Sequence, residues 1–147
     1  MIRVFVGIVL LCGLLSVQAE TVPSVPPAAG CTRASLQAAV DKYLEALSKG
    51  NPSLMPLVKA PVYFENRKDS QFGQGIWQTP VSVDFHRSIL DVGTCETFTE
   101  IIHTSSSHPY VIGTRLRVIG DKIAEVESLV TDQDDWLFNA QDYRKYS

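Results

Sequence analysis

Residues 40–50 read VDKYLEALSKG, and this stretch decides the fold of the chain. Together with one residue upstream, its apolar positions recur three or four apart, which predicts a helical stripe facing a core. Thr32 or Ser35 can cap a helix that runs to about Ser48, and Gly50 stops it because glycine accepts a left-handed backbone. The positions of the stripe are Leu36, Val40, Tyr43, Leu44 and Leu47.

The chain beyond this helix becomes strand-like. Residues 51–58 predict a short second helix, and residues 60–66 predict a short strand. Residues 67–80, rich in Gly and Gln, predict a loop around Trp77 with at most one helical turn. Strands follow over 81–90 and 95–104. In the first of these, Val83, Phe85 and Ile89 are expected to face the core.

A hairpin of two long strands closes the domain. Strands over 110–119 and 123–131 flank residues 120–122, which suit a three-residue loop. Opposite charges then face each other and predict a charged ladder on the outer side of the sheet. The charged pairs are Arg115 with Glu127 and Arg117 with Glu125. On the other side, Thr114, Leu116 and Val118 lie opposite Ser128, Val126 and Ala124.

The C-terminal tail is polar from residue 132 except for Trp136, Leu137 and Phe138. Three consecutive large apolar side chains are costly to leave in water. We therefore expect them to fold back and cover an edge of the core.

The N-terminus predicts a secretory signal peptide over residues 1–19. Arg3 supplies the charge, residues 4–15 are almost wholly apolar, and Ala19 ends the small-residue cleavage site. The apolar run is too short to span a bilayer, where about 20 residues are needed. A lipoprotein signal is not favoured, because it would need small residues just before Cys12 and two leucines stand there. We expect a flexible leader over 20–30, one domain over 31–147, and no membrane contact after cleavage.

Charge and cysteine content narrow the function classes. A formal net charge of −3 without a basic cluster argues against nucleic-acid binding. After signal cleavage Cys31 and Cys95 remain, and a pair in an oxidising compartment predicts one disulfide, the alternative being two buried thiols. We predict no metal site, because no close His, Asp or Glu spacing occurs. We also predict no cofactor, because no phosphate-binding glycine loop occurs.

The helix 40–50, of the form V-x-x-Y-x-x-A-L-x-x-G, resembles the first helix of the ketosteroid-isomerase and SnoaL-like branches of the NTF2-like superfamily. There too a short helix, a strand ending in acidic residues and a closing hairpin follow. The resemblance covers about residues 36–130 and implies a cone-shaped α+β fold, with helices on a curved, mostly antiparallel sheet. The leader and paired cysteines are also similar to those of small secreted fungal proteins of this fold.

The resemblance also implies a site. Tyr43 stands where the isomerase has its oxyanion-binding tyrosine, and Glu65 stands where it has the proton-shuttling carboxylate. Thr114 replaces the second oxyanion donor, a protonated aspartate, and is a weaker donor. A carboxylate beside a hydroxyl donor in an apolar cone is suited to moving a proton next to a carbonyl group.

The other candidates carry alternative interpretations. Trp77 and Tyr63 are candidate substrate-binding residues, and His103 is a candidate catalytic helper, whereas His86 is expected to face outward and His108 to be exposed. Tyr43 is equally explained as a core aromatic and Glu65 as a surface carboxylate. Trp77 is equally explained as a plug of the cone.

Three functions remain open. The first is a cofactor-independent isomerase, dehydratase or cyclase of a small apolar molecule, as in natural-product biosynthesis. The second is a secreted carrier of an apolar ligand, and the third is a secreted interaction module. A roomy cone with converging polar groups would favour the enzyme, a roomy apolar cone the carrier, and a cone filled by Phe64, Trp77 and Phe98 the module. The resemblance also implies a homodimer through the outer sheet face, which the charged ladder would make polar.

Overall fold

The computed structural model describes residues 30–105 and 107–147, so the predicted signal peptide and leader up to residue 29 lie outside the described residues. Helix α1 spans Arg33–Ser48. Thr32 caps it, since its hydroxyl accepts from the Ser35 N–H at 3.1 Å and the Ser35 hydroxyl accepts from the Thr32 N–H at 2.9 Å. The predicted helix and its start are confirmed.

Within the described residues, six strands form one sheet in the order β2-β1-β6-β5-β4-β3. Strands β1 and β6 are parallel, and the other neighbours are antiparallel. We call the face that packs on α1 the inner face and the opposite one the outer face. The strands are β1 Leu57–Glu65, β2 Lys68–Asp69, β3 Phe85–Asp91, β4 Glu96–His103, β5 Tyr110–Ile119 and β6 Lys122–Asp132; helix α2 spans Ala140–Tyr146.

The core lies between α1 and the inner face. Burying large apolar side chains from both layers is the main favourable contribution to folding. Its fully buried members include Leu36, Tyr43, Leu47, Trp77, Ile101, Ile112, Leu116 and Val126. Cys31 and Cys95 form a disulfide with their Cα atoms 5.7 Å apart, which confirms the predicted pairing and ties the start of α1 to the sheet. The bond fits folding in an oxidising compartment.

The segment between α1 and β1 differs from the prediction. Only one 3-10 turn, Pro52–Leu54, forms, and β1 begins at Leu57 rather than at residue 60. The predicted second helix was therefore wrong in its second half. Residues 67–80 also contain the short strand β2, joined to β1 by Asn66 and Arg67 at positive φ, as a tight hairpin turn requires.

Strand β3 has the opposite orientation to the one predicted. It begins at Phe85, and its Ile89 faces outward with 70% of its surface exposed, whereas Leu90 contacts the core. The irregular segment before it fixes this orientation, since the Asp84 carboxylate accepts the Thr104 N–H at 2.7 Å. Because side chains alternate along a strand, this single shift exchanges the two faces.

The β5–β6 hairpin confirms the predicted register, since Arg115 faces Glu127 and Arg117 faces Glu125. Arg115 also bonds Glu96 at 2.7 Å, so the ladder extends to β4. The predicted pairing of Val118 with Ala124 was wrong. A bulge there pairs Val118 with Ile123, and the loop shortens to residues 120–121.

The tail does not cover the core with its first apolar residues. Trp136 and Leu137 are 91% and 81% exposed, so that expectation was wrong. Helix α2 instead returns over the outer face, where Arg144 lies over the Phe85 ring at 4.8 Å. The cation–π contact and the burial of Ala140 hold this helix against the sheet.

Candidate functional site

A row of polar side chains crosses the inner face of the sheet. In register, Glu65 on β1 lies beside Ser128 on β6, Ser128 lies opposite Thr114 on β5, and Thr114 lies opposite Thr99 on β4. Ser88 on β3 completes the row and bonds Thr99 at 2.9 Å. The three central hydroxyl residues are fully buried. Buried hydroxyls need partners, and the row supplies them from strand to strand.

Helix α1 adds a phenol to this row. The Tyr43 hydroxyl lies 2.7 Å from the Thr114 hydroxyl, which lies 2.9 Å from that of Ser128. Burial raises the pKa of Tyr43 to about 12, against the opposing effect of these two hydroxyls, and the nearby Glu65 charge raises it further. Tyr43 is therefore a neutral hydrogen-bond donor or acceptor at pH 7.

Glu65 is half-buried at one end of the row. One carboxylate oxygen accepts the Tyr63 hydroxyl and, at 3.0 Å, the backbone N–H of Ile76. Gly75, with φ at +57°, sits against this carboxylate so closely that a Cβ there would overlap it. The carboxylate thus holds the 3-10 turn Gly75–Gln78, which carries Trp77, over the open end of the core.

Aromatic rings fill the space beside the row. Trp77 is 2% exposed and makes edge contacts with Tyr43 at 5.9 Å and Tyr63 at 6.4 Å between ring centroids. Phe72 stacks on Tyr63 at 5.0 Å. The Trp77 N–H has no geometrically sound acceptor among the residues described, although it lies close enough to the Tyr63 hydroxyl to lower its pKa. Burial, followed by Glu65, raises that pKa overall.

The cone is therefore filled by Trp77, Tyr43 and Tyr63. The other two residues expected as filling lie elsewhere, because Phe64 and Phe98 face outward beside the charged ladder. That part of the expectation was wrong, since both alternate with inward neighbours on their strands.

His103 lies apart from the other candidate residues. It is on the inner face of β4, four residues beyond Thr99, or about 13 Å along the strand. Its Nδ1 lies 2.9 Å from the Ser82 hydroxyl, and its ring stacks on Tyr110. His103 lines a separate cleft of about 440 Å³ with these two residues. His86 is exposed but lies on the inner-face side of β3, opposite Ile101, so the prediction that it faces outward was wrong. His108, expected to be exposed, is only partly exposed and lies 3.1 Å from Asp132.

Five of the six candidate site residues lie close together in the structure, namely Tyr43, Glu65, Thr114, Tyr63 and Trp77. Sequence analysis did not propose Ser128 as a site residue, although the predicted hairpin register placed it opposite Thr114. Thr99 and Ser88 were also missed, because their contact with the row depends on the register of β3 and β4.

Within residues 30–105 and 107–147, no three His, Cys, Asp or Glu side chains are grouped as a metal ion would require. In the same part of the chain no helix has the length and apolar character needed to cross a membrane.

No protein-family model matches the chain, and no curated protein matches it in sequence. An NTF2-like protein of unknown function from Burkholderia xenovorans LB400 has a similar structure at 10% identity and a TM-score of 0.51, covering 77% of this chain and 92% of that one. An NTF2-like protein of unknown function from Shewanella baltica OS155 is 12% identical with a TM-score of 0.43, covering 72% of this chain and all of that one. The first likeness identifies the fold as NTF2-like, an α+β fold.

Proposed function

We propose that this chain, which has the NTF2-like fold, is a secreted, cofactor-independent enzyme that binds a small apolar molecule in its cone. The reaction is an isomerisation, dehydration or cyclisation, with Glu65 as the base and Tyr43 as the oxyanion donor. One observation carries the proposal: the carboxylate and the buried hydroxyls share one row across a largely apolar core.

A packing role alone does not require this row. Apolar side chains of similar size would fill the same space without the cost of removing hydroxyls from water. Proton transfer next to a carbonyl group does require it, because a base and a donor to the forming oxyanion must stand on one substrate. The high pKa of Tyr43 keeps its proton available for donation at pH 7.

The substrate must displace Trp77. The indole fills the space beside Tyr43, and its turn is held by the bond from the Ile76 N–H to Glu65. Lifting this turn would empty the space and free the Glu65 carboxylate in the same motion. Trp77 and Tyr63 would then form the walls of the ligand site. His103 remains a proposed helper only for a substrate that reaches about 13 Å along β4.

A second candidate function is a secreted, non-catalytic interaction module with the same fold, because a filled cone leaves no room for the ligand of a carrier. The observation that favours it is the filling of the cone, since Trp77 is 2% exposed. In this case the row is a fully bonded structural network and Trp77 never leaves.

Binding of 2-naphthol distinguishes the two functions. This probe is a planar apolar ring system whose oxygen, when ionised, resembles that of an enolate. We expect the wild-type protein to bind it and Tyr43→Phe to bind it about tenfold more weakly, the loss of one hydrogen bond to the naphthol oxygen. Tyr110→Phe, which removes a phenol outside the row, should bind as the wild type does. Fluorescence titration of the probe measures all three.

Two results would decide against the enzyme. If the wild type binds no 2-naphthol while Trp77→Ala does, the indole is a permanent plug and the second candidate holds. Equal binding by the wild type and Tyr43→Phe would remove Tyr43 from the ligand site.

A further inference from the structure

Two adjoining clefts open on the outer face, on the far side of the sheet from the polar row. One has a volume of about 630 Å³ and lies between the outer face and the C-terminal segment; the other, of about 480 Å³, continues toward the middle of β3 and β4. Arg87 and Tyr143 line both clefts, so the two form one elongated groove, which we call the outer groove. Its aromatic side chains are Trp136, Phe138, Tyr143, Tyr146 and Phe98.

The aromatic residues of the outer groove are unusually exposed. Trp136 is 91% and Tyr146 is 80% exposed, and about half of Phe98 is exposed. Large apolar side chains gathered in one groove and left in water mark a binding surface, whereas scattered ones do not. Trp and Tyr suit ligands with one apolar and one polar side, because each ring also carries a hydrogen-bonding group.

Polar groups divide the outer groove at its centre. Glu100, 7% exposed, pairs with the Arg87 guanidinium and accepts the Tyr143 hydroxyl. The hydrogen bond to Glu100, followed by burial, raises the pKa of Tyr143. The Arg87 side chain is itself largely exposed, so its remaining N–H groups face the groove. A ligand here must therefore present apolar surface at both ends and hydrogen-bonding groups between them.

We propose that the outer groove binds a chain of β-linked pyranose sugars. Such a chain meets both requirements of the groove. Each ring has an apolar C–H face that can stack on Trp136 or Phe98, and its hydroxyls can form hydrogen bonds with Arg87. A helical peptide would need a continuous apolar groove, which the Arg87–Glu100 pair interrupts. An added strand would pair in the plane of the sheet along the free edge of β3, whereas the outer groove lies on the face of the sheet, across β3 and β4.

The two tryptophans make the proposal testable independently of the cone. Trp77 is buried in the core and Trp136 is exposed in the groove, so their indole N–H signals in a ¹⁵N-correlated NMR spectrum report separate sites. We expect chitohexaose or laminarihexaose to shift the Trp136 signal and leave that of Trp77 in place. Trp136→Ala should lower the affinity about tenfold or more, as loss of a large aromatic contact does. Ile119→Ser, at the distant tip of the β5–β6 hairpin and 61% exposed, is the matched control.

Three outcomes would overturn the proposal. They are no shift of the Trp136 signal with either oligosaccharide at millimolar concentration, a shift confined to Trp77, and unchanged affinity in Trp136→Ala. Loss of folding does not confuse the result, because Trp136 makes little contact with the domain. A negative result here leaves the proposed activity of the cone untouched, since the groove lies on the opposite face.

Discussion

The Tyr43 hydroxyl on α1 lies 2.7 Å from the Thr114 hydroxyl on β5, and both side chains are fully buried. This contact joins the helix to the sheet at the centre of the polar row. Thr114 also bonds Ser128, so it is the shared partner of the two other hydroxyls. Removing the shared partner should cost more than removing a terminal one, because buried polar groups left without a bond are destabilising.

We predict that Thr114→Val lowers the free energy of unfolding by about 2 kcal/mol and Tyr43→Phe by about 1 kcal/mol. Thr114→Val removes the hydroxyl that both Tyr43 and Ser128 bond, whereas Tyr43→Phe leaves Thr114 bonded to Ser128. Urea unfolding followed by circular dichroism measures both values. Thr131→Val on β6 is the control. Its hydroxyl donates to the Val111 carbonyl at 2.9 Å, but the side chain is exposed and water can replace this bond, so stability should change by less than about 0.5 kcal/mol. Equal losses in the two core variants would contradict the shared-partner interpretation.

The Glu65 carboxylate should matter for the local order of the turn that carries Trp77. Glu65→Gln keeps an oxygen for the Ile76 N–H, whereas Glu65→Ala removes it and leaves that N–H unbonded. We expect Glu65→Ala to increase hydrogen exchange at Ile76 and Trp77 about tenfold or more, the effect of a lost bond of about 1.5 kcal/mol. Exchange in Glu65→Gln should stay closer to that of the wild type. Unchanged exchange in Glu65→Ala would mean that aromatic packing alone holds the turn.

Gly75 and Gly73 form a matched pair for the same contact. Both have positive φ, at +57° and +93°, so alanine is strained at each. A Cβ at Gly75 would overlap the Glu65 carboxylate, whereas a Cβ at Gly73 meets nothing within 4 Å. We predict that Gly73→Ala costs about 1 kcal/mol and that Gly75→Ala costs about 1–3 kcal/mol more. In the Glu65→Ala background the difference between the two should largely disappear. If the difference between the two variants persists in that background, the strain lies in the backbone and not in the contact with the Glu65 carboxylate.

The sequence predicted the elements whose signal is local. The capped helix α1 follows from the spacing of its apolar residues, and the register of Arg115 with Glu127 follows from opposite charges facing each other. The disulfide followed from the two cysteines that remain, out of three, once the predicted signal peptide is removed. Convergence of Tyr43, Glu65 and Thr114 came from a family resemblance rather than from any pattern in this chain alone.

The predictions that failed concern features that are set by contacts between residues distant in sequence. The orientation of β3 depends on the bond from Thr104 to Asp84, 20 residues away, and alternation alone cannot reveal it. Trp136 was likewise expected to cover the core, but it lies in the C-terminal segment at the outer groove with 91% of its surface exposed, and Trp77 is the indole that is buried. Whether the cone is roomy depends on that packing, which no periodicity encodes.

Asp84 should give the protein an acid-sensitive step. Partial burial opposes ionisation, but hydrogen bonds from Ser105 and Thr104, with the nearby His103, lower the pKa of Asp84 to about 2. An aspartate in the unfolded chain has a pKa of about 3.9. The stabilisation is therefore complete above about pH 5 and is lost as the pH falls through 2, at most about 3 kcal/mol.

Comparing unfolding free energies at pH 5 and pH 2.5 tests this prediction. Asp84→Asn should remove that part of the acid loss, whereas Asp121→Asn at the exposed hairpin tip should leave it intact. An acid loss in Asp84→Asn equal to that of the wild type would assign it to other carboxylates.

The Cys31–Cys95 bond closes a loop with a sequence separation of 64 residues. In the loop-entropy account, such a crosslink stabilises the fold by about 4 kcal/mol, because it removes conformations from the unfolded chain. We therefore predict that the double variant Cys31→Ser, Cys95→Ser unfolds at lower urea concentration than the oxidised protein. The dependence of its unfolding free energy on denaturant should also be steeper, since an uncrosslinked chain exposes more surface on unfolding.

Chemical reduction of the wild type should reproduce both changes, and thiol titration before and after reduction confirms the state of the bond. A lower midpoint without a steeper slope would instead show that the bond acts mainly on the folded state, where Cys31 contacts the core at the start of α1.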